Sequence, residues 1–132
     1  MLDKRVEQLK EEIGMEKSSL ETFETEETLF FAENIKVLLT KMDSYLFLKS
    51  TIFLLPQGKN DTFLIRAMEA NLFGKGTRGL TIGISQDEKF LTLVADISAN
   101  ASYKEFKEKM EDFVTMVDFW RKEADDYFKQ ID

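Results

Sequence analysis

Seven apolar residues near the carboxyl end of the chain recur at alternating spacings of three and four. They are Tyr103, Phe106, Met110, Phe113, Val117, Trp120 and Ala124. This periodicity predicts an amphipathic helix of about six turns with one apolar face. Such a face must be covered, so we expect the helix to pack on a sheet rather than to form a coiled-coil seam.

The rest of the chain supplies that sheet, because five segments have strand composition and are bounded by turn residues. The predicted strands cover residues 28–32, 35–41, 45–55, 79–85 and 90–97. We expect an antiparallel meander from the first three and a hairpin from the last two. The third strand is apolar on both faces, which predicts cover on both sides. Its two faces are Leu46, Leu48, Ile52 and Leu54 against Tyr45, Phe47 and Phe53.

Two more helices complete the predicted order. The first carries Leu2, Val6, Leu9 and Ile13 on one stripe and ends at Gly14. The second is capped by Asn60 or Asp61, runs to Gly74 and places Leu64, Ile65, Met68 and Leu72 on one face. The sequence therefore predicts a single α+β domain over residues 1–132, in the order helix, three strands, helix, two strands, helix.

Charge and composition narrow the function. The net charge of −7 disfavours nucleic acid as a partner, since phosphate binding needs a basic face. The chain has no cysteine and no histidine, which leaves no thiolate nucleophile and none of the commonest general bases and metal ligands. We therefore expect no enzyme activity, no cofactor and no metal. The remaining catalytic alternative is a small ligand-binding or catalytic domain that uses carboxylates alone.

Two further patterns concern location. Charges are scattered through the first twelve residues, where an export signal needs a continuous apolar stretch. The most apolar run, residues 45–55, is interrupted by Lys49 and is about half of the ~20 residues that cross a bilayer. We expect a cytosolic protein that is not inserted in a membrane.

Residues 74–79 match the spacing G-x-G-x-x-G, which can mark a dinucleotide site. That fingerprint requires a strand before it and a helix after it, so that the helix N-terminus faces the pyrophosphate. Here a predicted helix precedes the glycines and a predicted strand follows them. We interpret the segment as a helix C-cap followed by a tight turn.

The predicted elements carry more apolar surface than one small domain can bury. Both faces of the third strand and the apolar stripes of the first two helices must be buried against other residues. An apolar patch on a small acidic chain without catalytic groups indicates a protein-binding function.

A short motif sharpens this expectation. It joins the helix end Ala70-Asn71-Leu72-Phe73, the turn Gly74-Lys75-Gly76-Thr77-Arg78-Gly79 and the strand Leu80-Thr81-Ile82-Gly83, and the similarity extends to Phe113-Val114 and Trp120-Arg121. Over residues 60–125 the chain resembles the class I type III secretion chaperones, the family that includes the Tir chaperone. The resemblance implies a bacterial cytosolic homodimer that uses no ATP and keeps the extended N-terminal region of a secreted effector competent for export.

The resemblance also implies two sets of site residues. The implied dimer interface comprises Ile65, Met68, Leu72, Phe73, Leu80 and Ile82. The implied effector-binding residues are Val6, Leu9, Ile13, Leu29, Phe31 and Val37. The stripe of the first helix has a second interpretation, in which it is wholly internal core. For the whole chain, the alternative function is that of a chaperone-like subunit of a heterodimer that regulates secretion or transcription.

Overall fold

The computed structural model describes residues 3–14, 25–58, 60–73 and 80–130. The elements, in chain order, are α1 (Lys4–Glu12), β1 (Glu26–Phe31), a 3-10 turn (Ala32–Asn34), β2 (Ile35–Lys41), β3 (Tyr45–Leu54), α2 (Asp61–Phe73), β4 (Thr81–Ile84), β5 (Phe90–Ser98) and α3 (Tyr103–Gln130). The predicted α+β class and element order are confirmed. The glycine turn at residues 74–79 lies outside the described residues.

The five strands form one antiparallel sheet in the order β1-β2-β3-β5-β4. The first three strands are the predicted meander, and β4 and β5 are the predicted hairpin. The long strand β3 is central because β5 pairs with it along nearly its whole length, from Tyr45 opposite Ser98 to Leu54 opposite Phe90. The hairpin therefore places the short strand β4 at one edge and β1 at the other.

Helix α3 packs along one face of this sheet, as its apolar stripe predicts. Six of the seven stripe residues are buried in the core, and Tyr103 is half-buried at the start of the helix. Alternate residues of the strands supply the other side of the same core, among them Val37, Leu39, Leu48 and Leu93. We call this side the inner face of the sheet, and the opposite side the outer face.

The third strand differs from its prediction at its end. A β-bulge between Thr51 and Phe53 shifts the register against β5. One extra residue in a strand reverses the faces of all residues after it. Phe53 consequently lies opposite Leu91 on the inner face, while Leu54 lies opposite Phe90 on the outer face and is 61% exposed. The predicted sides of Phe53 and Leu54 were therefore wrong.

Helix α2 is held by aromatic packing against the second half of α3. The Phe63 ring is fully buried, and its centroid lies 6.1 Å from Trp120, 5.2 Å from Tyr127 and 5.4 Å from Phe128. The Phe128 ring also stacks on Phe53 at 5.7 Å, so the bulge of β3 contributes to this cluster. Phe63 and Ala67 anchor α2 and lie on a different side of the helix from Ile65 and Met68 of the predicted stripe.

Helix α1 is anchored to β1 by a buried ion pair between Lys10 and Glu27. Lys10 is 4% exposed and Glu27 is 5% exposed, so both charges are removed from water. Glu7 lies 3.7 Å from the same ammonium group. At the other end of α1, the Arg5 guanidinium donates hydrogen bonds to the carbonyl oxygens of Ser98 and Ala101, which tie the helix to the start of α3.

Removing one member of the Lys10–Glu27 pair leaves a buried, unpaired charge, whereas removing both leaves an apolar contact. We expect Lys10→Met to lower the free energy of unfolding by about 3–5 kcal/mol, and the double variant Lys10→Met/Glu27→Leu to recover most of that loss. Urea unfolding followed by circular dichroism measures both values. Equal stability of the single and double variants would show that the pair does not anchor α1.

Candidate partner-binding surfaces

The predicted dimer-interface residues lie in two layers around α2 and β4. Ile65 and Met68 project from α2 and are 57% and 67% exposed, which is unusual for large apolar side chains. Leu80 and Ile82 lie in the core, at 4% and 6% exposed. The side chains of Leu72 and Phe73 lie outside the described part of the structure.

Strand β4 is an edge strand, but at Ile82 the backbone N–H and C=O that point away from β5 already have a hydrogen-bond partner. The Asn71 side chain accepts a hydrogen bond from the Ile82 N–H at 2.7 Å and donates one to the Ile82 carbonyl oxygen at 2.6 Å. The Asn71 amide thus takes the place of a neighbouring strand at this position. Pairing of another strand here would have to displace Asn71, which protects this edge.

The six predicted effector-binding residues do not form one exposed surface in the single chain. Val6, Leu9, Leu29 and Val37 are in the core, where α1 and the inner face of β1 and β2 pack together. Ile13 is 43% exposed at the end of α1, and Phe31 is half-buried at the end of β1. Helical periodicity identifies which residues share a stripe, but it does not identify what covers the stripe.

The site predictions missed an apolar surface on the outer face of the sheet. The described helices α1, α2 and α3 contribute to the core on the inner face, so no described helix covers the outer face. Phe30 and Leu54 are 57% and 61% exposed there. The other apolar members of this face are half-buried: Leu38, Tyr45, Phe47, Phe90 and Val94. The apolar alternation on both sides of the third strand was the sequence signal for this surface.

No group of three His, Cys, Asp or Glu residues in the described ranges is arranged to hold a metal ion. Burial, and then the nearby Glu12 carboxylate, raises the pKa of Tyr103 to about 12, so its hydroxyl is protonated at neutral pH. Lys107 instead pairs with Glu12 at 2.8 Å, which joins α1 to α3. None of the helices in the described residues is long and apolar enough to span a membrane.

The fold is a three-helix, five-stranded α+β domain with exposed apolar side chains on α2 and on the outer face of the sheet. The model of the Tir chaperone protein (CesT) family matches residues 4–121, and the chain belongs to this family. The resemblance seen at the helix–turn–strand motif is therefore confirmed over most of the chain. A search of curated protein sequences gives no significant match.

Solved structures share the fold at low sequence identity. A chain of the ExsC–ExsE complex superposes with a TM-score of 0.68 at 19% identity, covering 91% of this chain and 95% of that chain. The Yersinia pestis type III secretion chaperone SycH, in complex with a stable fragment of YscM2, gives 0.67 at 17% identity and covers 89% and 97%. A chain of the ExoU–SpcU heterodimer from the type III secretion system of Pseudomonas aeruginosa gives a TM-score of 0.65 at 12% identity, covering 93% of this chain and 93% of that chain.

The contrast between Leu9 and Ile13 on one stripe gives a direct test of the α1 packing. We expect Leu9→Glu to lower the free energy of unfolding by at least about 3 kcal/mol, because it buries an unpaired carboxylate. Ile13→Glu, its matched control, should change stability by less than about 1 kcal/mol, since the new charge is solvated. Thermal unfolding and soluble yield measure both. A Leu9→Glu variant as stable as Ile13→Glu would contradict the core position of Leu9.

Proposed function

We propose that this chain is a cytosolic chaperone of a bacterial type III secretion system. As a homodimer, without enzymatic activity or cofactor, it holds the N-terminal region of a secreted effector extended and ready for export. The observation that carries the proposal is the presence of two separate apolar surfaces, on α2 and on the outer face of the sheet, in a member of the Tir chaperone family. The similar SycH structure is of this kind, a type III secretion chaperone in complex with a fragment of another protein.

The surface on α2 suits self-association. Ile65 and Met68 are exposed on a helix whose other side is fixed by Phe63 and Ala67, so the surface is preformed. A symmetric dimer places the same patch of each protomer against its copy, which buries both residues at once. Leu72 and Phe73 complete the proposed interface from the end of the same helix, and the buried Leu80 and Ile82 support it from the core.

The dimer predicts a mass of about 30 kDa in light scattering, twice the 15.4 kDa of the chain. Met68→Asp should give a folded monomer, because the aspartate is solvated in the free chain but buried and unpaired in the dimer. Met42→Asp is the matched control, since Met42 is 44% exposed between β2 and β3, and it should stay dimeric. A dimeric Met68→Asp variant would reject this interface. Purification of two different chains together would support the regulatory heterodimer instead.

We assign effector binding to the β1 edge of the sheet, which is the edge away from α2. Strand β1 is the edge opposite β4, and an extended segment can pair with it and place alternate side chains against the sheet. Phe31 and Ile13 are the predicted effector contacts that the fold leaves accessible, and Phe30 adds an exposed ring on the outer face. Val6, Leu9, Leu29 and Val37 support these contacts from below. Binding through many small contacts keeps the segment extended without a single strong anchor.

Effector capture has a genetic and a biochemical test. Deleting the gene should remove one protein from the secreted fraction, and that protein should co-purify with the tagged wild-type chain from the native host. Phe30→Glu should weaken this binding about tenfold, the scale of losing one well-packed aromatic contact. Phe119→Glu is the control, because Phe119 is an exposed ring on α3 (43%), away from the sheet. An unchanged secreted fraction after deletion would contradict the proposed function.

A further inference from the structure

The sheet is split between β2 and β3. Their ladder runs from Lys41 opposite Leu46 only as far as Leu38 opposite Lys49, although both strands continue beyond it. Past this point the Ser50 hydroxyl donates a hydrogen bond to the Lys36 carbonyl oxygen at 2.6 Å. The Arg121 Nε of α3 donates to the Ile52 carbonyl oxygen at 3.3 Å. Side chains therefore replace the backbone hydrogen bonds that a regular ladder would make.

The split opens as a groove with a volume of about 530 Å³. Its lining includes apolar and basic side chains of the outer face, with Leu38 and Leu54 beside Lys36 and Lys49. Arg121 of α3 also lines the groove, from the inner side. The two lysines belong to the same face, since Lys36 is two residues along β2 from Leu38, which lies opposite Lys49. Opposite and diagonal positions of this kind are within mutual reach of long side chains.

Both lysines are exposed, and neither forms an ion pair with any side chain that the structure describes. The Lys36 ammonium instead lies 5.7 Å from the centre of the Phe30 ring. Glu26 and Asp96 share the outer face but make no contact of ion-pair length with either lysine. Two neighbouring positive charges with no acidic partner among the described side chains are notable in a chain of net charge −7.

We propose that this groove binds an acidic residue of the extended partner segment, with a carboxylate between Lys36 and Lys49 and an adjacent apolar side chain against Leu38 and Leu54. A carboxylate there relieves the repulsion between the two ammonium groups and forms charge-assisted hydrogen bonds with them. The apolar lining residues favour a peptide over a free anion, because a free anion has no apolar group to place against them. The inference rests on the proposed function, and it specifies the chemistry that the groove selects in the partner.

The test uses defined peptides, so it does not depend on identifying the natural partner. Three fluorescein-labelled nonapeptides alternate threonine and valine and differ only at the central residue, which is Glu, Gln or Lys. Fluorescence anisotropy with the full wild-type chain should show the Glu peptide binding about five- to tenfold more tightly than the Gln peptide, and the Lys peptide binding most weakly. The preference should shrink as salt is added, because these charges are exposed.

The double variant Lys36→Gln/Lys49→Gln should lose the preference for Glu while keeping its fold and its dimer mass. The control Lys4→Gln/Lys89→Gln removes the same charge from exposed positions outside the groove and should keep the preference. Equal affinity for the Glu and Gln peptides, retention of the preference in the Lys36/Lys49 variant, or no binding of any peptide overturns the inference. Equal binding of a single-stranded DNA 12-mer through the same two lysines would overturn the choice of a peptide. An effector that still co-purifies after such a result would leave the chaperone function standing.

Discussion

The packing of α3 against the sheet determines how the rest of the chain is used. One helix of 28 residues covers the inner face, and its buried rings and aliphatic side chains meet alternate residues of the strands. Helices α1 and α2 add to the two flanks of the same core. Because the described helices all serve the inner face, the outer face keeps its apolar side chains at the surface. A small domain thus gains both a buried core and an exposed apolar surface from a single sheet.

The two sheet edges differ in which groups they offer to another chain: side chains near β4, and backbone groups at β1. At β4 the Asn71 amide occupies the backbone groups of Ile82, so contacts on that side depend on side chains such as those of Ile65 and Met68. At β1 no strand lies alongside among the described residues, so contacts there can use the backbone. The groove proposed between β2 and β3 would add a third kind of contact, in which charge and shape rather than strand pairing select the partner.

Periodicity in the sequence was sufficient to predict the helices, the strands and their order, because each amphipathic stripe needs a fixed spacing and each turn has recognisable residues. It was insufficient where one extra residue changes the outcome. The bulge at Thr51/Phe53 reverses the sides of Phe53 and Leu54, and no spacing rule signals it. The site was less predictable than the fold, since Leu9 and Ile13 share a stripe and only the tertiary packing decides which is covered. The groove between Lys36 and Lys49 depends on where a ladder ends, which local sequence does not specify.

The aromatic cluster beneath α2 gives this chain a spectroscopic property. Trp120 is the single tryptophan of the sequence, and its indole lies edge-on to the Phe63 ring at 6.1 Å while being 3% exposed. Its fluorescence therefore arises from one site, at the contact between α2 and α3. Separation of α2 from α3 would expose the indole to water and shift its emission to longer wavelength. The same signal would stay unchanged when a ligand binds only the outer face, so the protein carries an intrinsic optical reporter that distinguishes events at its two surfaces.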